Sequence, residues 1–345
     1  MRLLIYRLGS IGDTVVALPS FRLIRHVRPE ARITVLTNAP VSDKAAPLEA
    51  VLENTGLIDA TIHYSVGLRD PARLAALRGR LRSEGFDLAV SLTAARGLAA
   101  SVRDYFFLKA CGIPKIIGIP LSRRDLVCQP LAGGLYESEA ARLLRRAAEF
   151  GAANLRDPKW HDLALTPDEI ATGDRLLADA HILPGFIAVS LGAKSPLKDW
   201  GTENWRELLA RLGHEFPSLG LVLLGSADEF GRNETLLPSW PGPRVNFCGK
   251  ASPRVSAALL SRARLYLGHD SGPMHLAAAV GTRCVSIFSA QSPPGKWFPF
   301  GEGHFNLYPQ GLYDPARADD PDYQRRAMGT ISAAAAATAV MSCLS

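Results

Sequence analysis

Two domains, each a parallel sheet wrapped by helices, are what this 345-residue sequence predicts. Short apolar strands alternate with loops and helices in both halves of the chain, the pattern of an α/β fold. The length exceeds what a single hydrophobic core usually covers. A proline-bounded stretch, Pro158 to Pro184, separates the two runs of alternation. The expected organisation is a first domain over residues 1–165, a second over 166–330 and a terminal helix over 331–345, with a return of that helix to the first domain held open.

In the first half, Leu3-Leu4-Ile5-Tyr6 reads as a strand, Arg7 to Asp13 as a glycine-containing turn, and Thr14 to Val27 as a helix that Pro19 kinks and Pro29 ends. Ile33 to Leu36 returns as strand. Gly9 and Gly12 do not form G-x-G-x-x-G and no acidic residue follows the second strand, which argues against NAD or FAD. A phosphate-binding G-x-x-x-x-G-K-[ST] loop is also missing from the sequence. Asp13 stands where the loop becomes helix, so it serves either as a helix cap or as a general base at the carboxyl end of the first strand. Leu88 to Leu92 and Lys115 to Ile119 are further strands with a helix, Leu98 to Ala110, between them. Tyr105, Phe106 and Phe107 on that helix either touch a membrane or pack in the core, and core packing is the default for such a cluster. Glu137 to Phe150 is another helix.

In the second half, Phe186 to Ser190 and Gly220 to Leu224 are strands around a helix at Thr202 to Glu215, and Arg254 to Arg262 is a helix. Leu265-Tyr266-Leu267 then leads into Gly268-His-Asp-Ser-Gly-Pro-Met-His275, a short helix ending at Gly281, and a strand at Cys284 to Phe288. Ser271 and Gly272 suit the cap of that helix, and Pro273 suits its first turn. A helix start leaves N–H groups unpaired and carries partial positive charge, so a phosphate or diphosphate is its natural guest. Asp270 to His275 packs more functional residue types into six positions than a plain connection needs. Ser332 to Leu344 reads as the terminal helix.

Charge and cysteine usage narrow the classes of function. Residues 1–165 carry 23 Lys and Arg against 16 Asp and Glu, net +7, whereas the remainder carries 16 against 17, net −1. The basic excess of the first half suits an anionic acceptor at an anionic membrane surface. Arg-rich solvated helices at Arg73 to Arg82 and Arg142 to Arg146 explain it equally well. The basic runs carry neither a nucleic-acid motif nor interleaved aromatics, so no nucleic acid partner is expected. Five scattered cysteines without C-x-x-C spacing read as reduced core residues. The first residues read as too quickly charged for a signal peptide, and no apolar run reaches the ~20 residues of a membrane span. A cytoplasmic location, peripheral on the inner membrane at most, is expected.

The two loops resemble glycosyltransferase family 9, the heptosyltransferase family of lipopolysaccharide synthesis. The matching residues are Arg7-Leu-Gly-Ser-Ile-Gly-Asp13 with Ala17-Leu-Pro19, Leu191-Gly-Ala193, Lys198-Asp-Trp200 with Asn204-Trp205, Leu224-Gly225 with Glu229, Phe247 to Lys250, and Asp270-Ser-Gly-Pro-Met-His275. The likeness runs from Met1 to about Phe300. It implies a GT-B fold, an α/β architecture of two Rossmann-like domains with parallel sheets facing a central cleft. The first would hold the acceptor and the second a nucleotide sugar. It also implies an inverting, metal-independent transfer that needs no cofactor beyond the co-substrate, with ADP-heptose favoured. Asp13 would be the base, with Ser10 and Gly12 beside it on the acceptor side. Lys198 and the turn Asp270, Ser271, Gly272, Pro273, Met274 and His275 would form the diphosphate site. Glu229 would hold the ribose, and Ala193 and Lys194 would lie near the phosphates. The implied acceptor is a lipid-linked glycan of the lipopolysaccharide core or a related surface glycan; the +7 balance of the first half suggests that it is anionic, with Arg123 and Arg124 in the loop after Ile119 as contacts.

After the strand ending at Phe288, the family commonly continues Gly-Pro-Thr, whereas this chain reads Ser289 to Phe300, so the sugar stays open. Lys296, Trp297, Phe298 and Phe300 in that loop are either a sugar platform or a loop anchor. Asp320-Pro-Asp322 has a metal-site form but reads as a solvated loop within Asp314 to Arg326. A transferase using another nucleotide sugar, a nucleotide-sugar epimerase of the same shape, and a binding module without turnover are the rival functions.

Overall fold

The computed structural model describes residues 1–39, 46–65, 67–193 and 195–344. The chain divides into two compact units, Met1–Ala164 and Leu165–Ser345. In the first, the order is β1 (Arg2–Tyr6), α1 (Ile11–Val27), β2 (Arg32–Asn38), α2 (Glu49–Leu52), β3 (Ala60–Tyr64), α3 (Pro71–Ser83), β4 (Leu88–Ser91), α4 (Leu98–Ala110), β5 (Lys115–Ile117), α5 (Arg123–Leu126) and α6 (Glu139–Arg146). The strands form one parallel sheet in the order β3-β2-β1-β4-β5, with Leu3 opposite both Ile33 and Leu88. β1 is central and covered on both faces, which is why Leu3, Leu4 and Ile5 form an unbroken apolar run with no exposed surface. Leu4 and Tyr6 face a core made with Leu36, Ile62, Leu81, Phe86 and Leu108, under α3 and α4.

Two readings of the first half change. The helix expected over Glu137 to Phe150 is shorter, because Ser138 caps it by accepting from the Ala141 N–H and a separate 3-10 turn follows at Ala148–Phe150. Arg142 and Arg146 are buried, not solvated. Arg142 makes two bonds to Glu139, Nε to Oε2 at 2.8 Å and Nη2 to Oε1 at 2.5 Å. Arg146 donates to the carbonyls of Gly118, Thr93 and Ser91 at 2.6, 2.6 and 2.9 Å. These carbonyls lie at the carboxyl ends of β4 and β5, so the buried guanidinium ties α6 to the edge of the sheet where the strands end. Arg73, Arg78, Arg80 and Arg82 are exposed as expected.

The second unit contains α7 (Pro167–Asp179), β6 (Ile187–Ser190), α8 (Thr202–Glu215), β7 (Leu221–Leu223), α9 (Phe230–Glu234), β8 (Arg244–Asn246), α10 (Pro253–Leu260), β9 (Leu265–His269), α11 (Gly272–Ala279), β10 (Cys284–Ile287), β11 (Phe305–Leu307), α12 (Pro321–Met328) and α13 (Ala333–Leu344). Its sheet is again parallel, in the order β11-β10-β9-β6-β7-β8. A capping box between Thr166 and Glu169 starts α7. The core joins Ile187, Leu223, Leu267, Trp205 and Trp240 to Ala336 and Val340 of α13. The terminal helix packs within the second unit, against α8, β9 and β10. Its apolar face is consumed by that core, and Trp200 Nε1 donates to the Ile331 carbonyl just before it at 2.8 Å. All five cysteines are buried and unbridged. No single helix among the described residues is long and apolar enough to cross a membrane.

The segment Asp314 to Arg326, expected as a loop, holds the first part of α12. Asp320 caps that helix by accepting from the Tyr323 N–H at 3.0 Å and pairs with Arg317 at 2.7 Å, while Asp322 pairs with Arg325 at 3.0 Å. Strands β3, β8 and β11 have no counterpart in the sequence reading, and all three lie at sheet edges. An edge strand packs less completely, so it needs no continuous apolar run to announce it.

Removing one partner of a buried ion pair leaves the other charge uncompensated, which typically costs about 3–5 kcal/mol. Glu139→Ala should therefore lower unfolding stability by about that amount. Urea denaturation monitored by circular dichroism checks it, and a loss below about 1 kcal/mol would show that Arg142 is satisfied by carbonyls alone.

Candidate functional site

Each sheet changes the direction of strand addition once, between β1 and β4 in the first unit and between β6 and β9 in the second. In open α/β sheets such a switch point leaves a crevice at the carboxyl ends of the strands, where ligands bind. Asp13 belongs to the loop and helix that follow β1. Lys198 follows β6, and Asp270 follows β9.

In the first unit, Ser10 rather than Asp13 is the N-cap of α1, and Asp13 is three positions on in a capping box. Its Oδ2 accepts from the Ser10 N–H at 2.9 Å and the Ser10 hydroxyl at 3.2 Å. Arg7, fully buried, lies 3.7 Å from Oδ1 and donates to the Asp13 carbonyl as well. Burial pushes the Arg7 guanidinium below its ordinary range, against the opposing pull of Asp13. Gly9 has φ +134°, and a Cβ there would collide with the Asp13 side chain, so the turn demands glycine. The carboxylate remains 26% exposed, held by fixed donors but open to a ligand. Gly12 is buried in the first turn of α1.

Beside this loop, residues that the sequence reading passed over form a cavity of about 200 Å³. Its apolar wall comes from Leu36, Leu68, Leu74, Leu77 and Phe107. Its polar wall is a chain in which the Tyr6 and Tyr64 hydroxyls meet at 2.5 Å, Arg96 donates to Tyr6 at 3.2 Å, and Asp104 takes both Arg96 and Arg103. Burial raises both tyrosine pKa values, so their hydroxyls stay protonated near neutral pH. No local motif marks this set, because its members come from β1, β3, α4 and the loop before α4. Arg123 and Arg124 are exposed on α5, beyond β5.

In the second unit, Lys198 Nζ contacts Asp270 Oδ2 at 2.5 Å, and His275 Nε2 lies 3.8 Å from Asp270 Oδ1. Ser271 is the N-cap of α11, but its side chain makes no capping bond. In the first turn the N–H groups of Gly272 and Met274, Pro273 having none, are therefore left for another acceptor, as at other anion-binding helix starts. His269, at the end of β9, is also a residue the sequence reading did not single out. It is fully buried, its Nε2 accepts from the Trp200 N–H at 3.0 Å, and its ring stands edge-on to Trp205. This bond fixes the segment that carries Lys198. Burial pushes the His269 imidazole down to about 4, so it stays a neutral acceptor.

Glu229 lies at the ends of β6 and β7, and a Cβ on either Gly192 or Gly225 would overlap its carboxylate. Two glycines thus make the slot for one acidic side chain. Burial raises its pKa, opposed by bonds from Ser226. Ala193 adjoins Gly192 and is partly exposed; Lys194 lies outside the described residues. In the loop after β10 the aromatics divide their roles. Phe298 packs against Phe288 and Tyr308 as an anchor, at ring distances of 4.7 and 6.2 Å. Trp297 instead stands edge-on to His275 at 6.2 Å, with Lys296 Nζ 5.1 Å above its ring. The described residues contain no group of three His, Cys, Asp or Glu placed to hold a metal ion.

Comparison with known proteins places these features among relatives. Residues 142–308 match the family model of glycosyltransferase family 9 (heptosyltransferase). Lipopolysaccharide heptosyltransferase 3 of Escherichia coli is 24% identical over 349 residues, covering 95% of each chain. Lipopolysaccharide core heptosyltransferase OpsX of Haemophilus influenzae is 25% identical over 148 residues, 42% of this chain and 41% of that one. Among solved structures, a glycosyl transferase family 9 protein from Veillonella parvula superposes with a TM-score of 0.75 at 17% identity, covering 99% of this chain and 97% of that one. The E. coli heptosyltransferase WaaC with ADP-2-deoxy-2-fluoro heptose gives 0.63 at 14% identity, covering 99% of both. The last two likenesses show a shared fold of two Rossmann-like α/β units with parallel sheets.

The buried histidines carry a pH dependence. His161 is also pushed down to about 4 by burial. The unfolded chain takes up these protons near pH 6.5 and the native state resists them, so stability should be full above about pH 6.5 and fall as pH drops toward 4. The slope is about 1.4 kcal/mol per pH unit for each histidine. His269→Gln should flatten that decline relative to wild type when urea unfolding is compared at about pH 7 and about pH 4.5. An unchanged slope would show that His269 protonates freely in the folded protein.

Proposed function

We propose that the chain is a glycosyltransferase of family 9 and that it transfers heptose from ADP-heptose to an anionic, lipid-linked glycan of the lipopolysaccharide core, with inversion and without a metal. The observation that carries this reading is the convergence of Lys198 and the uncapped start of α11 at the switch point of the second sheet. A diphosphate fits there by charge and by donors. The names of the relatives, lipopolysaccharide heptosyltransferases and a structure with an ADP-heptose analogue, support the choice of donor and acceptor.

In the proposed reaction the acceptor hydroxyl gives its proton to the Asp13 carboxylate as its oxygen bonds to the anomeric carbon from the face opposite the leaving group. The bond from that carbon to the diphosphate oxygen breaks, and its electron pair leaves with the nucleoside diphosphate. Lys198 and the backbone donors of α11 match the growing charge. Glu229 accepts from the ribose hydroxyls, and Ala193 lines the phosphates. The cavity at Tyr6, Tyr64 and Arg96 receives part of the acceptor, with Arg123 and Arg124 drawing in its anionic groups.

Asp13→Asn should lower the turnover rate by ~10²–10⁴-fold while leaving ADP affinity nearly unchanged, because a general base acts on the acceptor side. Transfer assays beside calorimetric ADP titration read both quantities. A variant that keeps most of its activity would reduce Asp13 to a partner of Ser10. Incubation with donor alone should leave the sugar unchanged, whereas isomerised sugar would point to an epimerase.

Lys198→Ala should weaken ADP binding by roughly 10–100-fold, the loss expected when one charge-assisted contact disappears. Activity should meanwhile persist in EDTA. Complete loss of transfer in chelator, restored by magnesium or manganese, would overturn the metal-independent reading.

A further inference from the structure

Helix α4 packs Leu108 and Phe107 on the core, yet leaves a second set of apolar side chains outside. The residues it buries include Ser101 and Asp104, whereas Leu98, Val102 and Phe106 stand 51%, 39% and 64% exposed. These three occupy positions i, i+4 and i+8, so they form one apolar row along the helix. The aromatic cluster expected as core thus points Phe106 outward. A surface helix normally buries its large apolar side chains, and large contiguous exposed apolar surface marks an interaction site.

Further exposed apolar side chains follow in the sequence. Ten large hydrophobic side chains stand exposed among the described residues, and Leu121, Val127, Leu131 and Leu135 join the three of α4 to place seven of them within residues 98–135. Ala100, Ser101 and Asp104 of α4 line one small cleft with Ile119 and Pro120, so the helix and the start of that segment are neighbours. Arg103, Lys109, Lys115, Arg123 and Arg124 are exposed, and Lys115 is paired with the exposed Glu149. The acids are Asp104, Asp125 and Glu137, with side chains 11%, 33% and 13% exposed, and each is paired with arginine.

We propose that the apolar row of α4, with the exposed leucines and cations of residues 121–135, is a docking face for an anionic lipid bilayer. Leu98, Val102 and Phe106 enter the boundary between headgroups and acyl chains while Arg103, Lys109, Arg123 and Arg124 meet the anionic headgroups. The sign of the exposed charge selects this occupant over an uncharged protein surface. The inference deepens the lipid-linked acceptor proposed above and rests on that reading for its purpose. Its test uses neither donor nor acceptor, so failure of membrane binding and failure of transfer are separate results.

The full chain would be co-sedimented with vesicles of phosphatidylglycerol and phosphatidylethanolamine and with vesicles of phosphatidylcholine, at low and high salt. Wild type should pellet with the anionic vesicles at low salt and much less with the neutral ones. Val102→Asp with Phe106→Asp should lower partitioning at least about tenfold, since burial of one large apolar side chain is worth that much. Arg123→Ala with Arg124→Ala should lower it about fivefold per cation at low salt and far less at high salt. Leu183→Asp, at an 81% exposed leucine of the second unit, should change nothing. Thermal unfolding of each variant confirms that the exposed substitutions leave the fold intact. The proposal fails if wild type ignores anionic vesicles, if the V102D/F106D variant pellets like wild type, or if light scattering shows a dimer that this variant abolishes without any vesicle binding.

Discussion

Loops leaving the two strands on either side of a direction change run to opposite faces of a parallel sheet, and a crevice opens where they part. This constraint governs both units, because β1 and β4 are such a pair in the first and β6 and β9 in the second. Each candidate group stands at one of these edges for that reason. Apolar strand interiors hold the sheet together, while the residues just past the strand ends are free to be polar. Tyr6 and Arg7, Ser190 and Gly192, and His269 and Asp270 mark that change within a few positions.

Polarity at the edges demands support beneath it. In the first unit the support is ionic: Arg7, Arg142 and Arg146 are buried and direct their guanidiniums to carbonyls at the ends of the strands and to Glu139. Fixed donors of this kind hold loops that have no regular ladder of their own. In the second unit the support is neutral. His269 takes the Trp200 N–H without carrying charge, and the glycines at 192 and 225 leave room for the Glu229 carboxylate. The first arrangement resists disruption only while its ion pair is complete, and the second only while its histidine stays unprotonated.

Central strands and the longest helices were legible from their apolar pattern, and α4 and α8 begin and end where the sequence reading put them. The two polar loops, Arg7 to Asp13 and Asp270 to His275, were legible because functional residue types crowd into a few adjacent positions. Contacts built across the sheet left no such trace. Tyr6, Tyr64, Arg96 and Asp104 converge from four separate places in the chain, and His269 looks locally like the end of a strand. The burial of Arg142 and Arg146 was hidden too, since an arginine-rich helix reads as solvated until its carbonyl partners are known. Phe106 misled in the opposite sense: composition alone cannot say which side of an apolar helix faces out.

The Lys198 ammonium already has a counter-ion in Asp270. Any anion approaching it meets a neutralised pair, so binding there is an exchange and not an addition. The incoming group must replace what the carboxylate supplied and also compensate the carboxylate it displaces. A singly charged anion has little to offer in that exchange, whereas a group with two or more charges and several oxygens can engage the ammonium and the start of α11 together. The same carboxylate returns when the anion leaves, and its return lowers the barrier to departure. Such a pair would favour polyanions over singly charged anions and ease their release, two properties that a bare lysine at the same place would not combine.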